Sequence, residues 1–158
     1  MRTKTSGPSL KKGEYVDLIV NGKVVKVRQE HLAGTILGMF IPQLGLMSFD
    51  GVCTCLENTV ALLNEIGVSG TTRTKSGYME KLVESARARF SSAEDAIAQE
   101  KIARGLDYAL SEIVLRNEGM GTLAGFGYAK IDCVEGRRRV TGHYTIDPEK
   151  VLTNPITY

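Results

Sequence analysis

The chain is most informative first through what it lacks. It has three cysteines, an odd number, so a framework of paired disulfides is excluded as its organising principle. Cys53 and Cys55 are one residue apart and Cys133 is distant, which is not the spacing of a structural zinc site; three reduced, partly buried thiols are expected. There are only two histidines, His31 and His143. His31 falls at the start of an expected helix with no acidic or cysteine partner at ligand spacing, so it reads as a surface or capping residue. No serine or cysteine stands in a nucleophile elbow. Asp107, Glu112 and Glu118 are not at a shared-face ligand spacing, so no metal-holding acidic set is expected. No apolar run approaches the ~18–20 residues that span a membrane, and the basic N-terminus is not followed by an apolar secretory core. These absences point away from an enzyme, a cofactor, a metal and a membrane, and towards a cytoplasmic or virion-internal setting.

What is present is an uneven distribution of charge. The net charge is +2. Arg2, Lys4, Lys11 and Lys12 stand in the first twelve residues with no acid among them. Lys130, Arg137, Arg138 and Arg139 outweigh Asp132 and Glu135 between 130 and 143, leaving a mildly acidic body. Basic character gathered at a tail and at one later stretch is how a polyanion-binding surface looks in sequence, although short clusters of this kind are also common on solvated faces.

Taken in order, residues 1–13 (MRTKTSGPSLKKG) read as a flexible basic arm. Glu14 to Arg28 is expected as a β-hairpin about Asn21-Gly22, the strongest two-residue turn pattern. That turn sets Val20 against Lys23, Leu18 against Val25, Val16 against Val27, and Asp17 against Lys26 as a cross-strand charge pair. Gln29 to Ile41 carries Leu32, Ile36, Leu37 and Phe40 at helical spacing before Pro42. Ser48 to Ile66 repeats the pattern with Val52, Leu56, Val60 and Leu63, stopped by Gly67. With the hairpin these two helices make a first region, 14–67. The polar stretch 68–77 is the candidate linker to a second, 78–147.

That second region opens with a helix from Tyr78 to Phe90. The pattern Ser91-x-x-Glu94 suggests a capping box opening the longest helix, to about Asn117, with Ala98, Ile102, Leu106, Ala109 and Ile113 as its stripe. Glu118 to Gly127 is glycine-rich, but it follows a helix and precedes a strand, the reverse of a phosphate-binding loop. A second hairpin is expected from Thr122 to Asp147 about Glu135-Gly136. Ala129, Ile131, Val140, Tyr144 and Ile146 share its buried face. Phe126, Tyr128, Lys130, Asp132, Arg137, Arg139, Thr141 and His143 share the other, while Arg138 projects from the tip. Such a ribbon can lie along a nucleic acid with its cations on phosphates; it can equally be an edge protected by charge. Three adjacent arginines exceed what protection requires. Residues 148–158 read as an extended tail able to strap onto a neighbour.

The stretch from Tyr78 onward resembles the HU/IHF family of bacterial DNA-binding proteins. The resemblance is carried by the helix ending at Phe90, the SSAEDA segment and long helix, the GFG at Gly125–Gly127, and the basic RRRVTG of Arg137–Gly142. It covers residues 78–146 only. It implies an intertwined dimer whose ribbons embrace the DNA minor groove. Lys130, Arg137, Arg138, Arg139 and His143 would then fall at phosphate and groove contacts. No proline or large apolar residue sits at the ribbon tip, so strong kinking of DNA is not implied.

The expected fold is therefore α+β: an N-terminal β-hairpin, three to four helices and a C-terminal basic β-hairpin. The expected function is non-enzymatic, salt-dependent DNA binding of low sequence specificity by a homodimer or larger homo-oligomer. Lys130, Arg137, Arg138, Arg139, His143, Arg2, Lys4, Lys11 and Lys12 would supply the contacts. The alternative is a structural or assembly subunit of a homo-oligomer, such as a virion component.

Overall fold

The computed structural model describes residues 10–40, 47–72, 75–115, 140–148 and 151. Asn21 and Gly22 both take positive φ, 50° and 82°, the pair of left-handed residues that a tight hairpin turn needs. They join β1 (Tyr15–Val20) to β2 (Lys23–Arg28) antiparallel, in a register that runs from Tyr15 beside Arg28 to Val20 beside Lys23 and contains all four pairings expected from the sequence. Period-two alternation then sorts the side chains. Val16, Leu18, Val20, Val25 and Val27 all turn inward and are buried.

β2 runs through a 3₁₀ turn (Gln29–His31) into α1 (Leu32–Gly38), all seven residues of which are buried. α2 (Phe49–Ile66) starts at Ser48, whose hydroxyl accepts a hydrogen bond from the Gly51 amide at 3.1 Å. It stops at Gly67, where φ of 100° lets the amides of Gly67 and Val68 return to the Leu63 carbonyl. α3 (Ser76–Ser92) lies antiparallel on α2: Ser76 meets Asn64 at one end, and Phe49 and Phe90 stack at 3.9 Å at the other. Between these ends Arg87 of α3 forks onto Glu57 and Asp50 of α2, at 2.9 and 2.7 Å. These partners hold its guanidinium more firmly charged than usual. α4 (Ala96–Leu115) packs on α3 and α1 through Leu106, Leu110 and Ile113.

One expected boundary is corrected. Ser91 and Ser92 do not open α4; they finish α3, and the Ser92 hydroxyl donates back to the Ala88 carbonyl. Asp95 caps α4 instead, its carboxylate accepting from the Ala98 amide at 2.8 Å. A hydroxyl in a last helical turn can satisfy itself on the preceding carbonyls, so the serines gain nothing by breaking the helix.

β3 (Val140–Ile146) pairs with β1, and parallel to it, giving a three-stranded sheet of order β2-β1-β3. Val140 lies beside Tyr15 and Ile146 beside Val20, with a register shift between Tyr15 and Asp17. Gly142 sits at this irregularity. A Cβ there would come within 2.9 Å of the Tyr144 ring, so glycine lets that ring fold onto the strand. Ile146 is buried and Tyr144 packs on the core, as the sequence pattern implied for this strand. The strand expected to form a hairpin with it, and the turn at Glu135-Gly136, lie outside the described residues.

Both ends of the described chain are tied down. Leu10 is buried and its amide donates to the Gly67 carbonyl at 2.9 Å, so residues 10–13, expected as part of the arm, belong to the fold. Val151 is buried too, and the Asn58 amide of α2 donates to its carbonyl at 2.7 Å. At Val151 the expected strap is thus seated on its own chain. A single apolar core collects residues from Leu10 to Val151 and is continuous across 68–77, where Val68 is buried and its carbonyl accepts from the Ser76 amide. Among the described residues no helix is long and apolar enough to cross a membrane.

Candidate polyanion-binding face of the sheet

With the inner face of the sheet filled by helices, its outer face presents Asp17 and Ile19 of β1, Val24, Lys26 and Arg28 of β2, and His143 and Thr145 of β3. β1 is the central strand, so its outward residues are covered from both sides. Asp17 points away from the core yet is only 7% exposed. Lys26 reaches its Oδ1 at 3.9 Å from β2, and His143 Nε2 reaches its Oδ2 at 3.1 Å from β3. One carboxylate thus faces a cation on one strand and an imidazole on the other. Oδ1 accepts no hydrogen bond, so its link to Lys26 is through charge alone. The expected Asp17–Lys26 pair is present; its extension to His143 follows from the parallel pairing of β3, which no local pattern encodes.

A second cluster lies at the end of the sheet where β1 begins. Residues 11–13 form a tight turn. The Glu14 amide donates to the Lys11 carbonyl, the Lys11 amide to the Glu14 carboxylate at 2.8 Å, and the Gly13 amide to the Glu30 carboxylate at 2.9 Å. Burial alone would raise the Glu30 carboxyl. Hydrogen bonds from the Gly13 amide and its own backbone, with Arg28 and His31 nearby, bring it below the ordinary glutamate range. Both acids are thereby used to fix the turn backbone. Lys11 and Lys12 are exposed, and among the described residues neither ammonium is paired with a carboxylate. Arg28, beside Tyr15 in the ladder, contacts Glu30 at 3.5 Å and His31 at 3.5 Å.

Of the residues named from sequence, the structure therefore brings His143 onto the outer face and Lys11 and Lys12 to the end of the sheet. Arg2, Lys4, Lys130, Arg137, Arg138 and Arg139 lie outside the described residues; Arg139 is the residue directly before Val140, where β3 begins. Lys26 and Arg28 were not named as binding residues. Their parity with Val24 on β2 could have placed them on this face.

The chemistry that the described residues offer on this face is charge pairing. The His143–Asp17 pair lies on an open sheet face, with the His143 side chain 67% exposed, not in a cleft that would exclude water. No group of three or more potential metal ligands occurs among the described residues. Cys53 and Cys55 are buried in α2, and burial pushes their thiols up to about 11 and about 12, the wrong direction for a nucleophile. No family model, curated protein or solved structure matches the chain.

Proposed function

We propose that this chain is a non-enzymatic nucleic-acid-binding protein that holds the phosphate backbone with two basic segments meeting at one end of its sheet. The observation that supports this most is the parallel pairing of β1 and β3. Parallel neighbours are entered from the same end. Tyr15 lies beside Val140, and in this reading the segment that leads into Val140, with Arg137, Arg138 and Arg139, runs beside the one that leads into Tyr15, with Lys11 and Lys12. Arg2 and Lys4 precede the first, and Arg28 lies at the same end on β2. Cations far apart in sequence would thus act on one ligand.

In this reading the first strand of the basic hairpin, which starts at Thr122, pairs with the other edge of β3, with Ile131 facing Val140 and Tyr128 facing His143, adding Lys130, with His143 on the outer face. The resemblance of residues 78–146 to HU/IHF proteins favours DNA and a homodimer. Phosphate neutralisation supplies the affinity, so binding falls steeply with salt. The test is duplex DNA binding at two salt concentrations with Arg137, Arg138 and Arg139 changed together to alanine. Affinity equal to that of the unaltered protein sinks the proposal. A preference for single-stranded RNA would keep the phosphate chemistry and correct the nucleic acid.

A second reading is favoured by the free side of β2. Among the described residues β2 pairs only with β1, and its outward Val24 is 55% exposed. An edge of this kind accepts a strand from a neighbouring copy, as a structural or virion subunit would require. Mass in solution separates the two: a ring or larger oligomer without nucleic acid favours assembly, a dimer the first reading.

A further inference from the structure

α3 and α4 enclose a half-open cleft of about 190 Å³, which shares no residue with the sheet face. Leu82 and Ala86 of α3 and Ile102 and Leu106 of α4 give it apolar walls, while Arg89 stands on the α3 rim and Lys101 on the α4 rim. Both cations are exposed, and neither pairs with a carboxylate among the described residues; the nearby Arg104 is satisfied by Glu100 at 2.8 Å.

A further lining residue is Gly105, in the middle of a twenty-residue helix. Glycine there is unfavourable to the helix relative to alanine. Neither backbone nor packing requires it: its φ is not positive, and an added Cβ would meet nothing within 4 Å. Gly105 is exposed, and what the missing side chain leaves is open space at the mouth of the cleft. At ~30 Å³ per water, the cleft volume matches about six waters, or the first half-dozen carbons of an acyl chain.

We propose that this cleft binds a single-chain carboxylate amphiphile, its chain against Leu82, Ala86, Ile102 and Leu106 and its carboxylate between Arg89 and Lys101. Apolar walls account for the chain, and two uncompensated cations on facing helices for the sign of the head group. The inference does not depend on nucleic-acid binding.

The test uses the full chain with octanoate, octylammonium and octyl glucoside, each followed by calorimetry and by amide shifts of α3 and α4. Octanoate is expected to bind at least about tenfold more tightly than octylammonium, the equivalent of ~1.4 kcal/mol. The double change Arg89→Gln with Lys101→Gln should remove that preference. Gly105→Leu should weaken octanoate by a similar factor while keeping or raising the melting temperature. Gly105→Ala should raise the melting temperature and show that the helix tolerates the substitution. Equal affinity for octanoate and octylammonium, no octanoate binding at millimolar concentration, or full binding by Gly105→Leu would each overturn the proposal. So would binding to vesicles containing anionic phospholipid with none to monomeric octanoate.

Discussion

The two faces of the sheet are made by the same strands yet answer to different physics. The buried residues of the inner face, Val16, Leu18, Val20, Val25, Val27 and Ile146, are all aliphatic, and shape and area decide what that face tolerates. The outer face holds Asp17, Lys26 and His143 in contact, and there charge decides. Each strand contributes to both, so a single register governs burial and electrostatics together, and a slip by one residue would exchange them.

The largest expected effect breaks the inner face. Leu18→Ala, at a fully buried position in the central strand, should cost ~2–5 kcal/mol in urea unfolding. An effect below about 1 kcal/mol would mean that the helices do not close on this strand. Next comes pH, acting on the core behind it. The Cys53 and Cys55 thiols are raised in the folded state, so the unfolded chain releases their protons first. Their contribution is intact below the ordinary thiol range, near 8.5, and declines as pH rises from there towards 11–12. The slope should approach ~1.4 kcal/mol per pH unit for each thiol. Urea midpoints of the native chain and of Cys53→Ala with Cys55→Ala, compared at pH 7 and pH 9.5, read it out. Equal pH dependence in both proteins would contradict it.

Smaller effects sharpen the outer face. Asp17→Asn keeps the shape but removes the charge facing Lys26 and His143, and should cost ~1 kcal/mol while strengthening polyanion binding. Lys26→Ala, removing a partly exposed partner at 3.9 Å, should cost no more than ~0.5–1 kcal/mol. If Lys26→Ala proved the costlier of the two, Asp17 would not be the centre of the face.

Much of this fold could be read locally. Asn21-Gly22 fixed a hairpin register residue by residue because turn geometry and apolar alternation agreed. Ser48 and Gly67 bounded α2 because caps are local hydrogen-bond requirements. The Ser91-x-x-Glu94 pattern misled because a hydroxyl can serve a helix end as readily as a helix start, and Asp95 lay four residues further on. What no local pattern contained was the parallel docking of β3 on β1, a contact between residues more than a hundred positions apart. The candidate site depends on that docking. His143 could be assigned to an outer face from strand parity, but not to Asp17, and the basic segments could be listed, but not the pairing of Tyr15 with Val140. The cleft between α3 and α4 was hidden for a related reason: Arg89 and Lys101 belong to different helices, and Gly105 is conspicuous only once its surroundings are known to be empty.

The proposed convergence of the two basic segments is tested most directly by the salt dependence of duplex DNA binding. The unaltered chain is compared with Lys11→Ala/Lys12→Ala, with Arg137→Ala/Arg138→Ala/Arg139→Ala, and with all five changes combined. At ~0.9 per phosphate contact, the slope of log affinity against log salt should shrink by up to about two for the lysines and three for the arginines. The combined variant should lose both. A lysine variant with unchanged affinity and slope would contradict a shared binding end, and an unchanged arginine variant would contradict nucleic-acid binding by this chain.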